Sequence, residues 1–243
     1  IEVRSYFEKL IQEKGKFLIH KSLAAATGRT PYAKLHNILR ADERVSVPVF
    51  KRMLEEREGF YFSSRLSAHH FPSNYPLSTA FLKFLGLYIA EGHKTKNYLT
   101  ISVREEPLIQ NLKGIMQDLQ LTFGLRQDGD FQINDKALAT LVETLCGRTS
   151  FHKHLPDFWP ELSLKQLGEL LSMYFTGDGW VDRNAVMVVT ASSELASQLL
   201  YALNRFGIWA RTKKRFMRAT NSDHYGDFYY QVTISGQNNL RCF

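Results

Sequence analysis

The sequence predicts an α+β fold in which one pattern, helix–strands–helix–strands–helix, occurs twice behind a helical N-terminal stretch. Two observations carry this. The apolar run Phe84-Leu85-Gly86-Leu87-Tyr88-Ile89-Ala90-Glu91-Gly92 returns as Leu171-Ser172-Met173-Tyr174-Phe175-Thr176-Gly177-Asp178-Gly179, placing Asp178 under Glu91 at an offset of 87. The register then holds, with Leu112 matching Leu199, Met116 matching Leu203, Leu119 matching Phe206 and Leu121 matching Ile208. After a gap of about 14 residues, Ile133-Asn134 matches Ile234-Ser235. A tandem duplication accounts for both.

Each run has helical apolar spacing and ends on an acid followed by glycine. In the first, Gly86 and Ala90 are four apart and share a face, so another helix backbone can approach closely. Gly92 suits a left-handed helix stop. Glu91 lies at the negative end of the helix dipole, where a carboxylate is disfavoured unless a cation is near. Such a local conflict points to function.

Residues 1 to about 66 read as helical, and Lys21 to Pro31 reads as a helix followed by a Gly turn. The next helix, Tyr32 to Leu39, has a polar side with Lys34, His36 and, just beyond it, Arg40, resembling a helix-turn-helix that would enter a major groove. Phe71-Pro72 to Tyr75-Pro76 marks a boundary. The expected domains are 1–70, helical and DNA-binding; 77–160, the first repeat; and 161–243, the second, C-terminally incomplete. Ser78 is placed to cap the first motif helix. Tyr98–Val103, Leu121–Arg126 and Asp130–Ile133 read as strands, and Leu108–Leu119 and Ala137–Leu145 as helices. In the second repeat Leu162–Phe175 and Ser193–Phe206 read as helices. Ala185–Thr190, Ile208–Lys213 and Phe228–Ser235 read as strands. Lys214 to Asp227 is the excess over the first repeat, expected as a projecting basic hairpin.

The net charge of +7 favours an anionic partner. Between Arg205 and Ser222 lie Arg205, Arg211, Lys213, Lys214, Arg215 and Arg218 without one acid. No apolar run reaches membrane-spanning length. Cys146 and Cys242 lack metal-type spacing, so a reduced, intracellular protein is expected, cytoplasmic in a prokaryote or archaeon. His69-His70, His152 and His154 have no partner Cys or acid at ligand spacing.

These motifs resemble the LAGLIDADG homing endonucleases over roughly residues 77–243, and most of all the endonuclease region of archaeal-type inteins, given Leu87 to Gly92 and Lys153-His154-Leu155-Pro156. The resemblance implies two pseudo-symmetric αββαββα units whose sheets form a DNA-binding β-saddle, in a monomer. It implies that Glu91 and Asp178 hold divalent metal, Mg²⁺ with Mn²⁺ as a substitute, for hydrolysis of both strands of a long specific DNA site. Lys153 and Lys94 are the expected basic groups at the reacting phosphates. The expected DNA contacts are Lys34, His36, Arg40, Arg104, Arg126, Gln132, Arg211, Lys213, Lys214, Arg215 and Arg218. Met173 stands where the family motif has glycine, which implies close but asymmetric helix packing. A second pocket lysine is expected near position 254. Two other readings share the scaffold: a DNA-binding regulator that does not cut, and a group I intron maturase. No protein-splicing ends are visible.

Overall fold

The computed structural model describes residues 61–62, 71–72, 75–95, 97–217 and 226–243. The chain divides into two compact units, Ile1–Pro76 and Leu77–Phe243. In the first, β1 (Tyr61–Phe62) pairs antiparallel with β2 (Phe71–Pro72). The helical reading therefore stops short of Tyr61: the aromatic run Phe60-Tyr61-Phe62 prefers a strand. The expected helix-turn-helix, with Lys34, His36 and Arg40, lies outside the described residues, as does Arg218.

The second unit begins with α1 (Thr79–Glu91), capped where Ser78 Oγ accepts a hydrogen bond from the Phe81 amide at 3.2 Å. Then come β3 (Gly92–Lys94), β4 (Leu99–Ile101), α2 (Glu106–Asp118), β5 (Gly124–Leu125), β6 (Phe131–Ile133) and α3 (Lys136–Cys146). The pattern repeats as α4 (Leu164–Asp178), β7 (Trp180–Asp182), β8 (Ala185–Thr190), α5 (Ser193–Asn204), β9 (Ala210–Met217), β10 (Asp227–Ser235) and α6 (Gln237–Cys242). This is αββαββα twice, with sheet orders β3-β4-β6-β5 and β7-β8-β10-β9, all antiparallel.

The duplication extends to the pairing register. His93 faces Thr100 as Trp180 faces Met187, Leu99 faces Ile133 as Val186 faces Ile234, and Leu125 faces Phe131 as Thr212 faces Val232. A slip of one residue would turn every side chain to the wrong face, so the agreement fixes which residues each sheet buries. The helix stops repeat too. Gln120 (φ 53) and Gly207 (φ 74) take the left-handed conformation, and the next amides, Leu121 and Ile208, donate to the Met116 and Leu203 carbonyls. That helix-end motif uses Leu121, so β5 is shorter than the strand expected from Leu121 to Arg126.

Helix α1 is buried nearly all round, with Phe81, Leu82, Phe84, Leu85, Leu87 and Tyr88 at 0–2% exposure, because α4, α2, α3 and the first sheet surround it. A Cβ at Gly86 would collide with the Leu170 carbonyl and come 3.2 Å from Met173 Cβ; one at Gly177 would come 2.6 Å from Ala90 Cβ. Met173 and Gly177 are the repeat equivalents of Gly86 and Ala90. The crossing point is therefore built from two self-matched pairs, each opposing a glycine to a larger residue. The asymmetry expected from Met173 is present, and Gly86 provides its space.

Candidate active site and nucleic-acid interface

The helix crossing sets the positions of the two acids. Glu91 is the last residue of α1 and Asp178 the last of α4. A Cβ at Gly177 would lie 3.7 Å from Glu91 Oε1, so α4 needs glycine there to bring Asp178 beside the other carboxylate. Gly92 differs from expectation, and Gly179 shares its conformation. Gly92 (φ −89, ψ 142) and Gly179 (φ −85, ψ 147) are extended, so no left-handed turn ends these helices. Glycine is needed for space: a Cβ would strike Tyr88 at the first position and the Phe175 carbonyl at the second. Each chain thus leaves its helix directly into β3 or β7, and the acid stays at the junction.

Burial pushes the Asp178 carboxyl up to about 7, the Glu91 charge adds to that, and Lys153 works against it. Glu91 is also raised, by burial and then by Glu105, with Arg104 opposing. Two carboxylates forced together and partly dried form a site that favours a cation. Their donors are hard oxygens, and among the described residues no group of three or more His, Cys, Asp or Glu could hold a metal. Such a site suits Mg²⁺, which keeps several waters and takes phosphate oxygens alongside one or two carboxylates.

Lys153 is 5% exposed. Its ammonium donates to the Tyr88 carbonyl at 2.6 Å and sits 3.2 Å above the centre of the Tyr88 ring. The Tyr88 hydroxyl in turn donates to the Gly147 carbonyl at 2.9 Å, which ties the segment carrying Lys153 to α1. Burial lowers Lys153 to about 7, with the Asp178 charge opposing. Lys94 is also buried, but its ammonium pairs with Glu143 of α3. The structure thus brings Glu91, Asp178 and Lys153 together and engages Lys94 elsewhere. Sequence reasoning missed Tyr88, read only as part of an apolar run. It also missed Tyr174, whose hydroxyl is buried without a hydrogen-bond partner and whose ionisation is opposed by burial and then by Asp178.

The candidate DNA contacts fall into two sets. In the first repeat, Arg104 bonds the Gly129 and Asp128 carbonyls and pairs with Asp130 at 2.7 Å. Arg126 pairs with Asp128 at 3.1 Å and reaches the Tyr98 hydroxyl and Gln132. In the second repeat, β9 and β10 form a hairpin, and Lys214 to Met217 belong to its first strand. Alternation puts Arg211, Lys213 and Arg215 on the face opposite buried Val232 and Ile234, across from Thr233, Gln231 and Tyr229. Lys214 lies on the other face, 4.5 Å from the centre of the Phe228 ring.

A duplicated protein whose two crossed helices each deliver one acid between two antiparallel sheets is the class that this fold and site define. Residues 165–243 match the family model described as a LAGLIDADG-like domain. The second repeat is thus similar to LAGLIDADG-like domains.

It is similar to the replication factor C small subunit of Thermococcus kodakarensis, at 28% identity over 84% of this chain and 21% of that protein. It is also similar to the DNA-directed RNA polymerase subunit Rpo1C of Methanocaldococcus jannaschii, at 26% over 70% and 21%. A DNA polymerase of Thermococcus aggregans is 31% identical over 53% of this chain and 8% of that protein. The chain spans about a fifth or less of these three relatives. Among solved structures, mesophilic variants of the homing endonuclease I-DmoI align with TM-score 0.49 and 13% identity, over 68% of this chain and 93% of that one. Full-length DUF199/WhiA from Thermatoga maritima aligns with TM-score 0.48 and 11% identity, over 70% and 56%.

Among the described residues no helix is long and apolar enough to cross a membrane.

Proposed function

We propose that this chain is a site-specific double-strand DNA endonuclease of the homing type, monomeric, intein-borne and dependent on Mg²⁺. The carrying observation is the acid pair, Glu91 and Asp178, at the ends of two interlocked helices with Lys153 beside it. Hydrolysis of a phosphodiester needs an activated water and compensation of charge on the attacking and leaving oxygens, and a divalent cation supplies both. Glu91 and Asp178 would hold it. Lys153 would place its proton-bearing ammonium near the reacting phosphate, oriented by the Tyr88 carbonyl and ring. Lys153→Met should therefore cut cleavage by about 10²-fold or more in single-turnover assays while DNA binding changes little. An unchanged rate would remove Lys153 from the site.

The relatives support the intein reading. A segment similar to parts of a replication factor, an RNA polymerase subunit and a DNA polymerase, and about a fifth or less of each, behaves as an insertion rather than as part of any one machine. The domains we propose are 1–70 as a DNA-reading accessory, 77–160 as one half-site unit and 161–243 as the other. Incubation with duplex DNA carrying the uninterrupted insertion point of such a host gene, with Mg²⁺, tests the activity. Binding without cutting would favour a regulator, and binding only to structured intron RNA a maturase.

Neutralising Lys213, Lys214, Arg215 and Arg218 together should weaken binding and flatten its salt dependence. Each lost phosphate contact should lower the log–log slope by roughly 0.9. An identical slope in the quadruple variant would show that this strand faces solvent.

A further inference from the structure

We infer that the two halves of the DNA target are held unequally, with the second unit providing most of the electrostatic grip; this rests on the endonuclease reading above. The observation is a difference in charge between matched surfaces of the two repeats. On the first sheet, the candidate cations are already neutralised: Arg104 by Asp130 at 2.7 Å and Arg126 by Asp128 at 3.1 Å. Four charges cancel there, Arg126, Asp128 and Asp130 from the short turn between β5 and β6 and Arg104 from the segment after β4. On the second sheet, the equivalent strands are longer, eight and nine residues against two and three. Strand β9 presents Arg211, Lys213 and Arg215 on one exposed face. Among the described residues none of the three forms an ion pair, and Arg211 has only the neutral Ser235 hydroxyl at 3.0 Å. The acids on that sheet stand at its margins, Asp182 on the far edge strand and Asp227 at the hairpin end.

A phosphate meeting the first sheet must displace a carboxylate from each arginine. One meeting β9 finds cations with no carboxylate partner among the described residues and releases condensed counterions from DNA directly. Tyr229, Gln231 and Thr233 lie beside these cations and offer hydroxyl and amide groups to base edges, so grip and readout coincide on one strand pair. The longer hairpin would also spread its charges along more of the duplex. After cleavage, the second unit would therefore keep its DNA end while the first released its own.

The test begins with a target selected from randomised duplexes by retention and cleavage. Its two halves are then titrated as separate duplexes by fluorescence anisotropy across a salt series. One half should bind at least about tenfold more tightly near 0.1 M salt, with a log–log slope steeper by about 2 to 3. Arg211→Gln, Lys213→Gln and Arg215→Gln combined should abolish that preference, and all three are exposed, so the fold is not at risk. In the opposite direction, Asp130→Asn should free Arg104 and raise affinity for the weaker half severalfold. Equal halves, or a preference that survives the triple variant, would overturn the inference. If no duplex is bound at all, it is the endonuclease reading that fails.

Discussion

Asp178→Asn is expected to abolish double-strand cleavage, by at least about 10³-fold, while leaving DNA affinity largely intact and making the protein more stable at pH 8. The rate loss follows from removing one of the two carboxylates proposed to hold the metal, whose charge compensation would be worth several kcal/mol. Affinity persists because phosphate contacts and groove readout supply it. The stability gain follows from linkage. In the unfolded chain this carboxyl ionises near 3.8, and in the fold near 7. Between those values the folded state binds more protons, so stability falls as pH rises, by on the order of 4 kcal/mol once both states are ionised. Asn does not titrate, so the variant escapes that fall. Lys153 runs the other way: its folded value, about 7, lies below the ordinary 10.5, so its contribution is present above 10.5 and lost as pH falls towards 7. Thermal melts at pH 4 and pH 8, with and without Mg²⁺, check this. The variant should gain only at the higher pH, and Mg²⁺ should raise the wild-type melt alone. Wild-type cutting by the pure variant, or equal gains at both pH values, would contradict the role.

Gly86→Val is expected to be among the most damaging single changes in the chain. Even the first carbon of a side chain at Gly86 meets the Leu170 carbonyl, which is backbone and cannot swing aside. Overpacking of this kind costs about 1–3 kcal/mol when side chains can yield, and more here. Because α1 and α4 would have to separate, Glu91 and Asp178 would move apart as well, so activity should fall even in protein that still folds. Gly114→Ala is the matched control. It lies inside α2, a Cβ there meets nothing within 4 Å, and alanine is the better helix former, so a gain of roughly 0.5–1 kcal/mol is expected. Denaturant melts of the two variants should move in opposite directions.

Most of the second compact unit was legible because duplication doubles the signal. Strand and helix patterns too short to trust singly, such as Phe131–Ile133, became firm once aligned with Val232–Ile234. The acid pair was legible for the same reason. Gly92 was misread, since a helix-ending glycine looks the same in sequence whether it supplies a positive φ or only an absent side chain. The left-handed stops fell at Gln120 and Gly207, of which one is not glycine. Lys94 and Lys153 could not be separated by spacing, because Glu143 and Tyr88, their partners, come from other elements. The neutralisation of Arg104 and Arg126 was hidden likewise: Asp128 and Asp130 are close in sequence to Arg126, but Arg104 meets them only through the sheet.

The helix crossing also bears on the history of the chain. In an ancestral homodimer each contact on the twofold axis joins a residue to its own copy, so both must be small or both must yield. Here one member of each pair has grown: Met173 against Gly86, and Ala90 against Gly177. Two copies of the second unit would set methionine against methionine at this crossing. The second unit cannot pair with itself without repairing its axis. The two repeats have become complements, each shaped at the crossing to pack against the other.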